Sequence, residues 1–230
     1  MTEQCNKRDY INAIIESKNT RVVFSCDVTS MQELCYYADV CGPHICILKV
    51  HTDSIEDFNI GQMLYVRSLA EKHNYLIMED RKFADIGSTL EKQVTGFFQY
   101  NEWCNLVTAY PFIGNNGINV FRKHKIGVFL IAELSINEGQ EMPSFNEVFN
   151  NPVNSDTIVG SIGQNNTGTI QATPGIHLDK GGDNMNQCYK TPEIAAKKGA
   201  ELFIIGRAIY QSENVVEEVI RYKENINKLC

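Results

Sequence analysis

Eight short apolar runs constrain what this chain can fold into. They occupy residues 22–26, 45–50, 76–79, 106–109, 127–131, 158–161, 170–173 and 202–205, each bounded by turn residues and most separated by a helix-length segment. Strands that alternate with helices in this way pair in parallel and lie beneath those helices. Eight such units in 230 residues favour closure into a barrel over an open doubly wound sheet. The expectation is an α/β protein, a single-domain (β/α)8 TIM barrel over residues 1–230, with no internal repeat, low-complexity tract or dividing linker.

Local signals place several helices. Ser30 is suited to cap a helix over 31–40, with Glu33 three residues later completing a capping box. Ile60, Met63, Leu64, Leu69 and Ala70 fall roughly at helical spacing within 59–73. Further helices are expected over 89–98, over 191–198 with Pro192 in the first turn and Gly199 as its stop, and from Asn214 towards Leu229. Two units are irregular. The polar stretch 137–157 holds Pro143 and Pro152 and leaves room for one short helix near 144–149, while 164–169 is too short for any crossover helix.

Charge and composition narrow the function. The net charge is −7 with no Lys/Arg-rich run, which disfavours binding nucleic acid or an anionic membrane by electrostatics. No apolar stretch approaches the ~18 residues of a membrane span, and the polar N-terminus lacks a signal-peptide core, so the expected location is cytoplasmic. The eight cysteines, at 5, 26, 35, 41, 46, 104, 188 and 230, contain no Cys-x-x-Cys pair and read as reduced thiols rather than a disulfide framework or zinc site.

The chemistry gathers where the expected strands end, as it does in barrels. The third run leads into Glu79-Asp80-Arg81-Lys82-Phe83-Ala84-Asp85, an Asp-x-Lys-x-x-Asp cluster. Alternation in an extended segment would put Asp80 and Lys82 on one side and Arg81 on the other, with Asp85 at the turn into a helix. Asp27, Lys49, Ser135, the Thr173-Pro174-Gly175 turn and Gly206-Arg207 occupy the corresponding ends of other runs. Each has a structural counterpart: Asp27 as a turn or capping aspartate, Lys49 in an ion pair, Ser135 as a loop serine. His51, Asp53 and His177 are as compatible with structural roles as with functional ones. An arginine after a glycine at the eighth run, with the glycine-bearing loop 179–190 before it, suits a phosphate site over which Gln187 and Tyr189 would close. Neither a Gly-x-Ser-x-Gly elbow nor a glycine-rich dinucleotide fingerprint is present.

Together these stretches resemble the orotidine 5'-monophosphate decarboxylase family, particularly its eukaryotic-type, stand-alone members. The match runs in the family's order over nearly the whole chain: Asp27, the segment 42–53 through Lys49, the segment 79–89, Ala132-Glu133-Leu134-Ser135, Thr173-Pro174-Gly175, Gln187-x-Tyr189 and Ile205-Gly206-Arg207. The resemblance implies loss of CO2 from orotidine 5'-monophosphate to give UMP, the last step of de novo pyrimidine nucleotide synthesis, without metal or organic cofactor. It implies catalytic roles for Lys49, Asp80, Lys82 and Asp85, with Lys82 protonating C6 of the pyrimidine. It further implies a homodimer in which Asp85 and Thr89 complete the partner's site. Asp27 and Lys49 would meet ribose hydroxyls, Ser135 the pyrimidine, Pro174 the ring pocket, and Gln187, Tyr189, Gly206 and Arg207 the phosphate region. The chain departs from the family pattern at Ala109-Tyr110-Pro111, where a histidine is frequent, at Gln164-Asn165, and through 137–157. Its length leaves no room for the orotate phosphoribosyltransferase domain fused in some members.

Two other readings compete. A sugar-phosphate decarboxylase or aldolase of the same superfamily would share Asp-x-Lys-x-x-Asp, but metal-dependent relatives carry an acid near the position of Lys49, and lysine repels a divalent cation. A catalytically silent nucleotide-binding barrel would not need all four charged residues.

Overall fold

A computed structural model describes residues 7–134, 142–178 and 189–229. Among these residues, eight parallel strands close into a barrel in sequence order, each bonded to its neighbours and the eighth to the first. The chain begins with α1 (Lys7–Lys18), then β1 (Val22–Ser25), α2 (Met31–Cys41), β2 (Ile47–Val50), α3 (Ile60–His73), β3 (Leu76–Phe83), α4 (Gly87–Thr95) and the single turn α5 (Tyr100–Trp103). There follow β4 (Leu106–Ala109), α6 (Gly114–Lys123), β5 (Gly127–Ile131), α7 (Phe145–Phe149), β6 (Ile158–Ile162), β7 (Ile170–Thr173), α8 (Pro192–Lys197), β8 (Leu202–Ile205), α9 (Arg207–Tyr210) and α10 (Val215–Asn227).

The expected strands are all present, with ends adjusted. β2 begins at Ile47 rather than residue 45, and β3 continues to Phe83 instead of stopping at Glu79. The helix expected over 89–98 starts earlier and ends earlier, at Gly87 and Thr95. Ser30 caps as expected, its hydroxyl accepting the Glu33 N–H, and the Asn59 and Asn214 side chains also prove to be caps, accepting those of Gln62 and Glu217. No helix bridges β6 and β7, in line with the short connection.

Four helices, α1, α5, α6 and α9, fall outside the segments expected to be helical. α6 contains two glycines and three asparagines, poor helix formers, and is held by burying Gly117, Ile118, Val120 and Phe121. α1 is mostly charged and polar, yet Ile11, Ile14 and Ile15 pack with Val23, Ile47, Leu76 and Leu106 of the inward-facing barrel cluster. Its last lysine is a staple: Lys18 Nζ donates to the carbonyls of Gly42, Ile45 and His73 at 2.8, 2.6 and 2.7 Å. A second apolar layer, including Phe24, Phe83, Trp103, Phe121, Phe203 and Tyr222, seals strands against helices. Within each strand alternate residues therefore serve different cores, and the inward set turns polar at the C-terminal rim with Ser25, Lys49, Asp80 and Thr108.

Among the described residues no helix is long and apolar enough to cross a membrane. Cys26, Cys35, Cys41, Cys46 and Cys104 are free thiols.

Candidate active site

The polar ends of the inward-facing rows line a cleft of about 740 Å³. Lys49 comes from β2 and is only 4% exposed, so its ammonium must be met by opposite charge. Asp80 on β3 supplies it: Lys49 Nζ lies 2.8 Å from Asp80 Oδ2 and 3.5 Å from Asp27 Oδ1. Lys82 Nζ approaches the other oxygen, Asp80 Oδ1, at 3.0 Å. One carboxylate thus sits between two ammonium groups drawn from two strands.

Burial by itself would push the Asp80 carboxyl up. The Lys49 ammonium, the hydrogen bond from His51 and the Lys82 ammonium outweigh it and hold Asp80 well below the usual carboxylate range. Burial likewise opposes the charge on Lys49, but Asp80 and Asp27 prevail and raise its pKa. Asp80 and Lys49 therefore stabilise each other's charged form before any ligand arrives.

Lys82 and Asp80 meet as expected, although not by strand alternation. Lys82 has φ +55, in the left-handed region, and the β3–β4 register shifts between Glu79 and Phe83. A bulge, rather than regular pleating, turns the lysine inward. Asp85 stands apart from this cluster. Within the chain its Oδ1 accepts the N–H of Ile86 at 2.8 Å, and among the described residues it forms no ion pair with Lys49 or Lys82. Thr89 lies in the first turn of α4, half-buried, on the same outer ridge as Ile86, whose side chain is exposed.

Asp27 is anchored by Ser25, whose hydroxyl lies 2.9 Å from both of its oxygens. His51 is more closely involved than its sequence position implied, with Nε2 3.2 Å from Asp80 Oδ2 and 3.0 Å from Lys49 Nζ. Thr108 on β4 was not singled out by any motif, but its hydroxyl donates to Asp80 Oδ1 at 2.7 Å. A lone threonine within an apolar run gives no sequence signal for such a role.

Pro174, Tyr189, Gly206 and Arg207 line the far side of the cleft with His177. The Arg207 guanidinium lies 5.8 Å from the Tyr189 ring centroid, and the His177 and Tyr189 rings meet edge to face at 5.5 Å. A cation backed by aromatic rings at a cleft wall suits an anionic ligand group. Along the rim, Gln164 N–H and Asn165 Nδ2 donate to Glu133 at 2.9 Å each, and Lys190 Nζ donates to Gln164 Oε1 at 2.5 Å, tying three loops together. Ser135 and Gln187 lie outside the described residues.

Behind the cleft, Glu79 points into the strand–helix layer with no exposed surface. Its Oε2 accepts the N–H and the hydroxyl of Thr52 at 3.2 and 2.8 Å, while its Oε1 is buried with no partner among the described residues. Burial pushes its carboxyl up to about 8 against those two bonds. Glu79, His51 and Asp53 are the only set of potential metal ligands among the described residues, with ligand atoms within 4.8 Å of one another. A cation there would face the Lys49 ammonium and would compete with it for the His51 ring nitrogen.

The chain matches the Orotidine 5'-phosphate decarboxylase / HUMPS family over residues 20–222. It is 35% identical to the orotidine 5'-phosphate decarboxylase of Rhizopus oryzae, across 92% of this chain and 85% of that one. It is 34% identical to the uridine 5'-monophosphate synthase of Bos taurus, covering 92% of this chain and 46% of that protein. The fold is similar to that of orotidine 5'-monophosphate decarboxylase from Methanocaldococcus jannaschii, solved with the inhibitor BMP, with a TM-score of 0.65, 18% identity, and coverage of 90% of this chain and 99% of that one.

Proposed function

The chain belongs to the orotidine 5'-phosphate decarboxylase / HUMPS family, and we propose that it converts orotidine 5'-monophosphate to UMP and CO2, closing de novo pyrimidine nucleotide synthesis. The observation that carries this reading is the Asp80 carboxylate gripped by Lys49 and Lys82 at the cleft floor. Cleavage of the C6–carboxylate bond leaves an electron pair on a ring carbon. A preorganised ammonium stabilises charge that appears only in the transition state. Lys82 is that ammonium, and it then delivers its proton to C6 as CO2 departs. Asp80 keeps both lysines charged and in place. The proton and the counter-charge both come from side chains, so the reaction as proposed calls for no cofactor.

The binding roles rest on the family resemblance. Asp27 and Lys49 take the ribose hydroxyls, Ser135 and Pro174 the pyrimidine, and Arg207 with Gly206, Tyr189 and Gln187 the phosphate. Phosphate contacts made far from the breaking bond supply binding energy that closes the site.

Asp85 and Thr89 serve the partner subunit of a homodimer. Their support is position: both lie within three residues of exposed Ile86 at the start of α4, and among the described residues Asp85 forms no ion pair in its own chain. Mixing Lys82→Ala with Asp85→Ala chains tests this. If Asp85 crosses the interface, hybrid dimers regain one intact site, and an equal mixture recovers about a quarter of wild-type activity. Recovery of none would place Asp85 in its own subunit's chemistry, and an Asp85→Ala chain active by itself would remove it from both sites.

The reaction itself is tested by following orotidine 5'-monophosphate absorbance in the presence of a chelator. Steady loss of substrate with UMP as product is expected. A folded preparation that leaves the substrate untouched would overturn the assignment, and activity that requires a divalent metal would favour the sugar-phosphate relatives.

A further inference from the structure

The ladder between β3 and β4 breaks at the residues that form the charge cluster. Glu79 pairs with Val107 and Phe83 with Ala109, so Asp80, Arg81 and Lys82 together stand opposite the single residue Thr108. In that bulge Lys82 adopts a left-handed backbone, φ +55, which side-chain-bearing residues keep only when their surroundings impose it. Its N–H has lost the carbonyl that a regular ladder would offer.

Thr108 supplies the replacement. Its Oγ1 accepts the Lys82 N–H at 3.1 Å and donates to Asp80 Oδ1 at 2.7 Å, and the residue is wholly buried. Both directions are forced. An amide N–H can only donate, and an ionised carboxylate can only accept, so the single hydroxyl proton points at Asp80. One side chain therefore joins the backbone of the lysine to the carboxylate that its own ammonium meets 3.0 Å away.

We propose that Thr108 is a positioning residue, whose hydroxyl holds the Lys82 bulge in register with Asp80 so that the ammonium faces the reacting carbon. This rests on the decarboxylase reading above. Without the hydroxyl, Asp80 Oδ1 retains the Lys82 ammonium as its donor and the Lys82 N–H is left unpaired. The bulge then relaxes and the ammonium is drawn onto Asp80. Misplacing a reacting group by about 1 Å costs on the order of 100-fold in rate.

The test compares Thr108→Val, which keeps the shape and removes the hydroxyl, with Thr108→Ser, which keeps the hydroxyl and removes the methyl. Valine should lower kcat by about 30- to 100-fold with KM changed less than about threefold, and serine should stay within about threefold of wild type. Amide hydrogen exchange at Lys82 gives a readout independent of turnover: about tenfold or more faster in the valine variant, unchanged in the serine variant. Should the valine variant fail to fold, Thr108→Ala takes its place. A hydroxyl-free variant with wild-type kcat and wild-type exchange would overturn the proposal, as would a serine variant as impaired as valine, since packing would then be the cause. If the wild type does not decarboxylate the substrate, the functional reading fails while the exchange result still decides whether Thr108 holds the bulge.

Discussion

Replacing Glu79 with glutamine should make the protein more stable, by an amount that grows with pH. Glu79 is fully buried and its carboxyl is raised to about 8 from an ordinary 4.5, primarily by burial. Between these values the unfolded chain is ionised at this position while the folded chain still holds the proton. Unfolding there releases a proton, so the stability that Glu79 contributes is complete below the unfolded pKa and is lost as pH rises through about 8. Glutamine resembles the protonated acid: its carbonyl can accept both Thr52 donors, and it cannot ionise. The advantage of Glu79→Gln should therefore climb by about 1.4 kcal/mol per pH unit, to a ceiling of about 5 kcal/mol over the whole window. Between pH 5.5 and 7.5 the expected change is about 3 kcal/mol, or about 6–12 °C in Tm for a domain of this size. Urea or thermal unfolding of both proteins at several pH values measures it. Parallel stability profiles would refute the argument, because they would mean that Glu79 is ionised in the folded protein.

Three further changes follow from the geometry. Lys82→Ala should abolish turnover while UMP binding stays measurable by calorimetry; near-normal turnover would remove Lys82 from the proton transfer. Arg207→Ala should weaken nucleoside monophosphates far more than nucleosides, by about 10- to 100-fold for a lost charge-assisted contact, and equal weakening of both would take Arg207 off the phosphate. Lys18→Met should destabilise the fold by about 2–4 kcal/mol in urea unfolding, since three carbonyls lose a charged donor at once; a change within about 0.5 kcal/mol would show that water replaces it.

Part of the charge cluster was legible because its signals are local. Asp80 and Lys82 lie two residues apart, and their charges beside an apolar run stand out without any tertiary knowledge, whereas Asp85, equally visible in sequence, does not join them in the described structure. His51 and Thr108 were not legible as members of the cluster. Each acquires its role from contacts with Asp80, which is 29 and 28 residues away in sequence and adjacent only through strand pairing. α1 escaped notice for a related reason: with three buried isoleucines, its apolar face becomes meaningful only beneath a closed barrel.

The amino-acid sequence by itself determined the number and order of the strands, the capped helices and the rim positions of the charged residues, because apolar periodicity and capping act over a few residues. Tertiary structure alone decided how those rim residues meet. Barrel closure brings β2, β3 and β4 side by side, and the β3–β4 register leaves three residues facing one. That mismatch turns Lys82 onto Asp80 through a left-handed backbone, where simple alternation had been expected. Neither could be read locally, because register is set by long-range pairing and packing that no local pattern encodes.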